Sequence, residues 1–177
     1  IVKVKNLPKS LNKIHFNQYF NEEITNFNLP NLVHLVLGHH YDTSVNNLPS
    51  QLTHLEFGYN FNQPVDNLPL TLKYLKFGLM FNQMVEMLPC SLTHLIFGNE
   101  FNQSIDMLPN SITNLVLGYS FNKSLNNLPQ NLINLEIGEL FDNKIEKLPK
   151  SIENIKVCYN NQKKLFLENY HNIIFSK

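Results

Sequence analysis

A Leu-Pro pair returns at a nearly constant interval along the whole chain, and this restricts the possible folds more than any other feature. The pairs stand at Leu7-Pro8, Leu29-Pro30, Leu48-Pro49, Leu68-Pro69, Leu88-Pro89, Leu108-Pro109, Leu128-Pro129 and Leu148-Pro149, and from Pro49 onward the step is 20 residues every time. A second marker keeps the same interval. All six glycines, Gly38, Gly58, Gly78, Gly98, Gly118 and Gly138, are 20 residues apart, with Asn17 and Cys158 at the same place in the outer units. Aligned on that glycine, six columns are apolar. They lie six, three and one residues before it (Leu72, Leu75 and Phe77 in one unit), three and seven after it (Phe81, Val85), and at the Leu of each Leu-Pro. A 20-residue unit is too small to bury such a face alone, so successive units must stack into one continuous core.

The segment L-x-x-L-x-F-G resembles the strand portion of a leucine-rich repeat, in which alternating residues form one short parallel strand per coil. Only about a dozen residues separate one strand from the next, and proline interrupts them, which leaves no room for a regular helix. The expected fold is therefore a β-rich, leucine-rich-repeat-like solenoid of about eight coils, with turns or 3₁₀ pieces on the return path. Each glycine is expected either to adopt a positive φ or to mark a close approach between coils. The repeat should span residues 1–161. Residues 162–177 break it and, with Leu165, Phe166, Tyr170, Ile173 and Ile174, should cap the last coil as a short helix or a ninth strand.

The chain has 14 Lys, 14 acidic residues, no Arg and a formal net charge of zero. Arg is the residue best suited to bidentate recognition of phosphate and guanine, so this composition argues against a nucleic acid partner. No apolar run approaches the roughly 20 residues that span a bilayer, and no signal-peptide pattern opens the sequence, so no membrane partner is expected. Cys90 and Cys158 occupy different columns several coils apart. They should remain reduced thiols, which suits a cytoplasmic setting.

The run Phe61-Asn62-Gln63-Pro64-Val65 followed by Leu68-Pro69, with counterparts at Phe81-Asn82-Gln83, Phe101-Asn102-Gln103-Ser104-Ile105 and Phe121-Asn122-Lys123, resembles the FNIP repeat. The resemblance extends over nearly the whole chain. It implies a family found in amoebae and in giant viruses that infect them, where the repeats often follow an N-terminal F-box; a viral member would work in the host cytoplasm. The family unit is usually 22 residues, a length found here only from Pro8 to Pro30, and these residues contain no F-box. The implied function is recognition of a protein partner, with target selection for a ubiquitin ligase as its specific form.

Two sets of polar positions deserve separate readings. Asn21, Asn62, Asn82, Asn102 and Asn122 follow the aromatic column directly, with Asp42 and Asp142 as substitutes. A short amide repeated in register is expected to satisfy turn backbone groups as a structural ladder. The glycosylation patterns beginning at Asn102 and Asn122 are then coincidental. On the outward strand face, four residues before the glycine, lie His34, His54, Tyr74 and His94. Two before it lie Val36, Ile96 and Val116. This mixture of ring, apolar and charged groups is the expected site for the protein partner. Side-by-side histidines on adjacent strands do not converge as zinc requires, so no metal is expected; adjacent exposed histidines disfavour each other's charged form, which leaves a pH-sensitive surface open as an alternative. No catalytic set or cofactor motif is apparent, and the expectation is a monomeric, non-enzymatic scaffold without a cofactor. Self-assembly of the repeats is the alternative, and an enzyme lacking any recognisable motif comes third.

Overall fold

The computed structural model describes residues 7–24 and 29–158, and the backbone of 173–176. The short outward-alternating segments form β1 (Lys13–His15), β2 (His34–Val36), β3 (His54–Glu56), β4 (Tyr74–Lys76), β5 (His94–Ile96), β6 (Asn114–Val116), β7 (Asn134–Ile137), β8 (Asn154–Cys158) and β9 (Ile173–Ser176). They make one parallel sheet in strict chain order. The register follows the sequence columns, so Leu35, Leu55, Leu75, Leu95, Leu115 and Leu135 stand opposite one another across successive strands. The chain is therefore the expected β-solenoid with one strand per coil. No helix occurs among the described residues, so none there is long and apolar enough to cross a membrane.

The return path is built from turns, and the 3₁₀ alternative does not occur among the described residues. Each coil bends twice at sequence markers. The proline carbonyl accepts from the amide three residues on, as in Leu72 to Pro69 at 3.1 Å and Leu92 to Pro89 at 3.0 Å. The glycine carbonyl does the same for the aromatic column, as in Tyr41 to Gly38 at 3.1 Å and Phe121 to Gly118 at 3.3 Å. Proline suits the first bend because it lacks an amide hydrogen that would need a partner there.

All six apolar columns point inward. Leu52, Leu55, Phe61, Leu72, Leu75, Phe81, Leu92, Leu95 and Phe101 are completely buried. Within a coil the two aromatic columns stack closely, with ring centroids 3.7 Å apart for Phe57 and Phe61 and 3.6 Å for Phe97 and Phe101. Between coils the outer of these columns continues as a parallel-ring stack at 6.0 to 6.3 Å from Phe61 to Phe141. In the first coil Leu7, Ile14, Phe16 and Phe20 are partly buried and pack against this core.

The glycines mark close approach. None has a positive φ, and a Cβ at Gly98 would overlap the carbonyl oxygen of Gly78 in the preceding coil and lie 2.5 Å from its carbonyl carbon. Cys158 holds that place in the eighth coil. There β8 runs through Cys158, which pairs with Ser176 of β9. The sheet thus continues into the segment that the repeat pattern sets apart as a cap. Leu165, Phe166 and Tyr170 lie outside the described residues.

Candidate protein-binding face

Every odd residue of a three-residue strand points away from the core, so the solenoid sets two rows of side chains on its outer sheet face. Cross-strand register places Lys13, His34, His54, Tyr74, His94, Asn114, Asn134 and Asn154 in one row. The second holds His15, Val36, Glu56, Lys76, Ile96, Val116, Glu136 and Lys156. His34, Val36, Tyr74, Ile96 and Val116 are half-buried by their neighbours, whereas His54 and His94 are exposed.

After Lys13 the first row is a ladder of rings. His34 and His54 stack with centroids 5.3 Å apart and planes 2° from parallel, His54 and Tyr74 follow at 5.6 Å, and Tyr74 and His94 at 6.2 Å. Beyond His94 the row changes to carboxamides, with Asn154 donating to Asn134 at 2.8 Å. In the second row, opposite charges meet on adjacent strands. Lys76 lies 3.3 Å from Glu56, and Lys156 lies 2.8 Å from Glu136. The hydrogen bond to Glu136, and then its charge, raises the Lys156 pKa. Burial raises the Tyr74 pKa, Glu56 adds to the effect and Lys76 opposes it. Burial lowers the His34 pKa, as do the charges of Lys13 and His54.

At its C-terminal half the face encloses a shallow groove of about 280 Å³ among Asn114, Val116, Asn134, Glu136, Asn154 and Lys156. That volume is small for a drug-sized ligand. Asn134, Glu136 and Lys156 fall outside the site residues that the sequence predicts, though they share the same two columns. The strand-exit edge around Tyr59, which the sequence leaves open as the alternative site, carries ring contacts of its own, with His39 stacked on Tyr59 at 4.7 Å and Tyr19 on His40 at 5.9 Å.

The asparagines after the aromatic column form a separate feature at another corner of the coil. Each Oδ1 accepts the backbone amide of the equivalent residue in the next coil. The bonds run from Asp42 to Asn21 (2.8 Å), Asn62 to Asp42 (2.8 Å), Asn82 to Asn62 (2.9 Å), Asn102 to Asn82 (2.9 Å) and Asn122 to Asn102 (2.9 Å). Gln83 and Gln103 reinforce it by donating to the same oxygens and to the adjoining carbonyls. The column is half-buried from Asp42 to Asn122, with Asn21 and Asp142 at its two ends exposed.

Among the described residues no three His, Cys, Asp or Glu side chains gather as metal ligands would. Cys90 is an exposed free thiol, and the half-buried Cys158 thiol donates to Glu136 Oε1 at 3.6 Å.

A stack of one-strand coils with an apolar interior and a chemically varied outer sheet face defines a leucine-rich-repeat-like solenoid. Comparison with known structures agrees. The chain is similar to one described as CroV588, a novel circular LRR protein, with 34% sequence identity and a TM-score of 0.72. The similarity covers 98% of this chain and 31% of that one, so the chain spans about a third of the neighbour's length. No curated protein matches it. The FNIP Repeat family matches residues 1–40, 43–80, 81–108 and 101–140, and the chain belongs to that family.

Proposed function

We propose that the chain is a protein-interaction scaffold whose partner docks on the outer sheet face around His34, His54, Tyr74, Ile96 and Val116. The observation that carries this reading is the contrast between columns. The inward columns repeat one kind of side chain from coil to coil, while the two outward rows change from ring to amide and from apolar to charged. Core packing explains uniformity, and a surface that recognises one partner requires variation. Tyr74 is the best anchor: a half-buried ring in the middle of the ladder, held between His54 and His94.

The finer form of the proposal is target selection within a ubiquitin-ligase component whose F-box lies elsewhere in the protein; it rests on the family's usual companion domain. The chain would act without catalysis, in the cytoplasm, as a monomer.

Once a partner has been captured, its affinity for a Tyr74→Ala/Ile96→Ala variant tests the face. Loss of about 2 kcal/mol or more, roughly thirtyfold, is expected, with little change in folding stability. Binding that survives this pair but fails when Tyr59, Leu79 and Tyr119 are replaced would move the site to the strand exits.

A further inference from the structure

The outer face is not electrically uniform along its length. Five of the six described histidines, His15, His34, His39, His40 and His54, lie in the first three coils. On the sheet itself β1 contributes Lys13 and His15, β2 contributes His34, and β3 contributes His54. Against them stands one carboxylate, Glu56, already engaged by Lys76 of β4 at 3.3 Å. Tyr74, the other ionisable group that β4 sets beside His54, is neutral below pH 9 and adds no charge. The equivalent stretch at the far end balances its own charge through Glu136 and Lys156.

We propose that this N-terminal part of the face is a proton-linked docking site for an acidic protein segment, with its carboxylates seated over the stacked rings of His34 and His54 and beside Lys13. The inference rests on the reading that the outer face binds protein. His34 and His54 lie 5.3 Å apart, so in the free chain a proton on one ring disfavours a proton on the other. Burial, Lys13 and His54 hold the His34 pKa down, His15 lowers it further, and Glu56 only partly offsets them. A carboxylate placed over the pair reverses that balance and lets both rings stay charged.

The hydrogen bonding supplies the donor. The Thr53 hydroxyl lies 3.1 Å from the Val33 carbonyl and 2.9 Å from His54 Nδ1, so Nδ1 is engaged within the chain. A protonated ring donates from both nitrogens, and Nε2 is then the donor offered to the incoming carboxylate. Val36, half-buried beside His34, offers apolar contact to the same segment. Carboxylate is favoured over phosphate because the chain has no Arg to grip phosphate with a fork of donors.

Binding that raises a histidine pKa takes up protons, so affinity must increase as pH falls through the histidine range. The test is fluorescence anisotropy of a labelled octa-aspartate peptide with the full chain at pH 7.5, 6.5 and 5.5 and fixed low ionic strength. Aspartate remains ionised throughout, so the peptide charge is constant. Affinity should rise about tenfold or more from pH 7.5 to 5.5, since each unit of pKa shift corresponds to a tenfold change. The His34→Gln/His54→Gln variant should flatten the dependence to within about twofold, while His94→Gln, two strands beyond His54, should preserve it. A pH-independent affinity overturns the proposal, as does a slope retained by the double variant or lost equally in His94→Gln. An octathymidylate that binds as tightly at pH 5.5 would replace the acidic segment with nucleic acid and also overturn it. A chain that captures its partner through Tyr74 and Ile96 at neutral pH yet ignores octa-aspartate at pH 5.5 sinks this inference and leaves the scaffold reading standing.

Discussion

Replacing Asn82 with alanine isolates the contribution of the amide ladder. Its Oδ1 accepts the Asn102 backbone amide at 2.9 Å and the Gln103 side chain at 3.1 Å. Gln103 keeps a second acceptor, the Asn82 carbonyl at 3.1 Å, which alanine retains. The Asn82 amide keeps its own bond to Asn62. The net loss is therefore one acceptor for the Asn102 amide, which sits in a half-buried turn between two coils. An orphaned donor costs about 1 to 3 kcal/mol when fully buried, so partial exposure points to about 1 to 2 kcal/mol. With a urea dependence of about 2 kcal/mol/M, the midpoint should fall by about 0.5 to 1 M. Hydrogen exchange should localise the effect, with protection lost first at Asn102. Asn82→Asp is the control, because Asp42 already serves in this ladder and accepts the Asn62 amide at 2.8 Å. An Asn82→Ala midpoint equal to the parent's, or an Asn82→Asp variant as unstable as Asn82→Ala, would refute the ladder as a stabilising device.

Gly98→Ala should cost about 3 kcal/mol, because the added methyl meets backbone of the preceding coil, which has no rotamer to give way; an unchanged denaturation midpoint would contradict the close approach. Removing residues 165–177 takes away β9 and leaves β8 as an open edge, so the truncated chain should aggregate in light scattering. If it stays soluble and as stable as the parent, the C-terminal segment is not a cap.

The stacked architecture was legible in the sequence because it is a statement about recurrence. A residue type that returns every 20 positions in a chain with no room for helices has to meet its own equivalents, and Leu55, Leu75 and Leu95 do so in the register that their spacing dictates. The outward rows were legible for the same reason, since a strand alternates its faces and His34, His54 and Tyr74 share one parity. What recurrence leaves open is how close the coils come and which atoms meet between them. The glycine could have served a positive φ or a close approach, and only the packed coils show that the preceding carbonyl occupies the space of a side chain. Asn82 could have turned its amide to solvent; its Oδ1 instead faces the next coil because the Asn102 amide has no strand partner there. The stacked orientation of His34 on His54, and the closure of Glu56 on Lys76, depend on side-chain rotations about a strand spacing that the sequence does not encode. Recurrence therefore determined which residues are neighbours, and tertiary packing decided what those neighbours do, because contact distances and rotamers are set only when one coil is laid against the next.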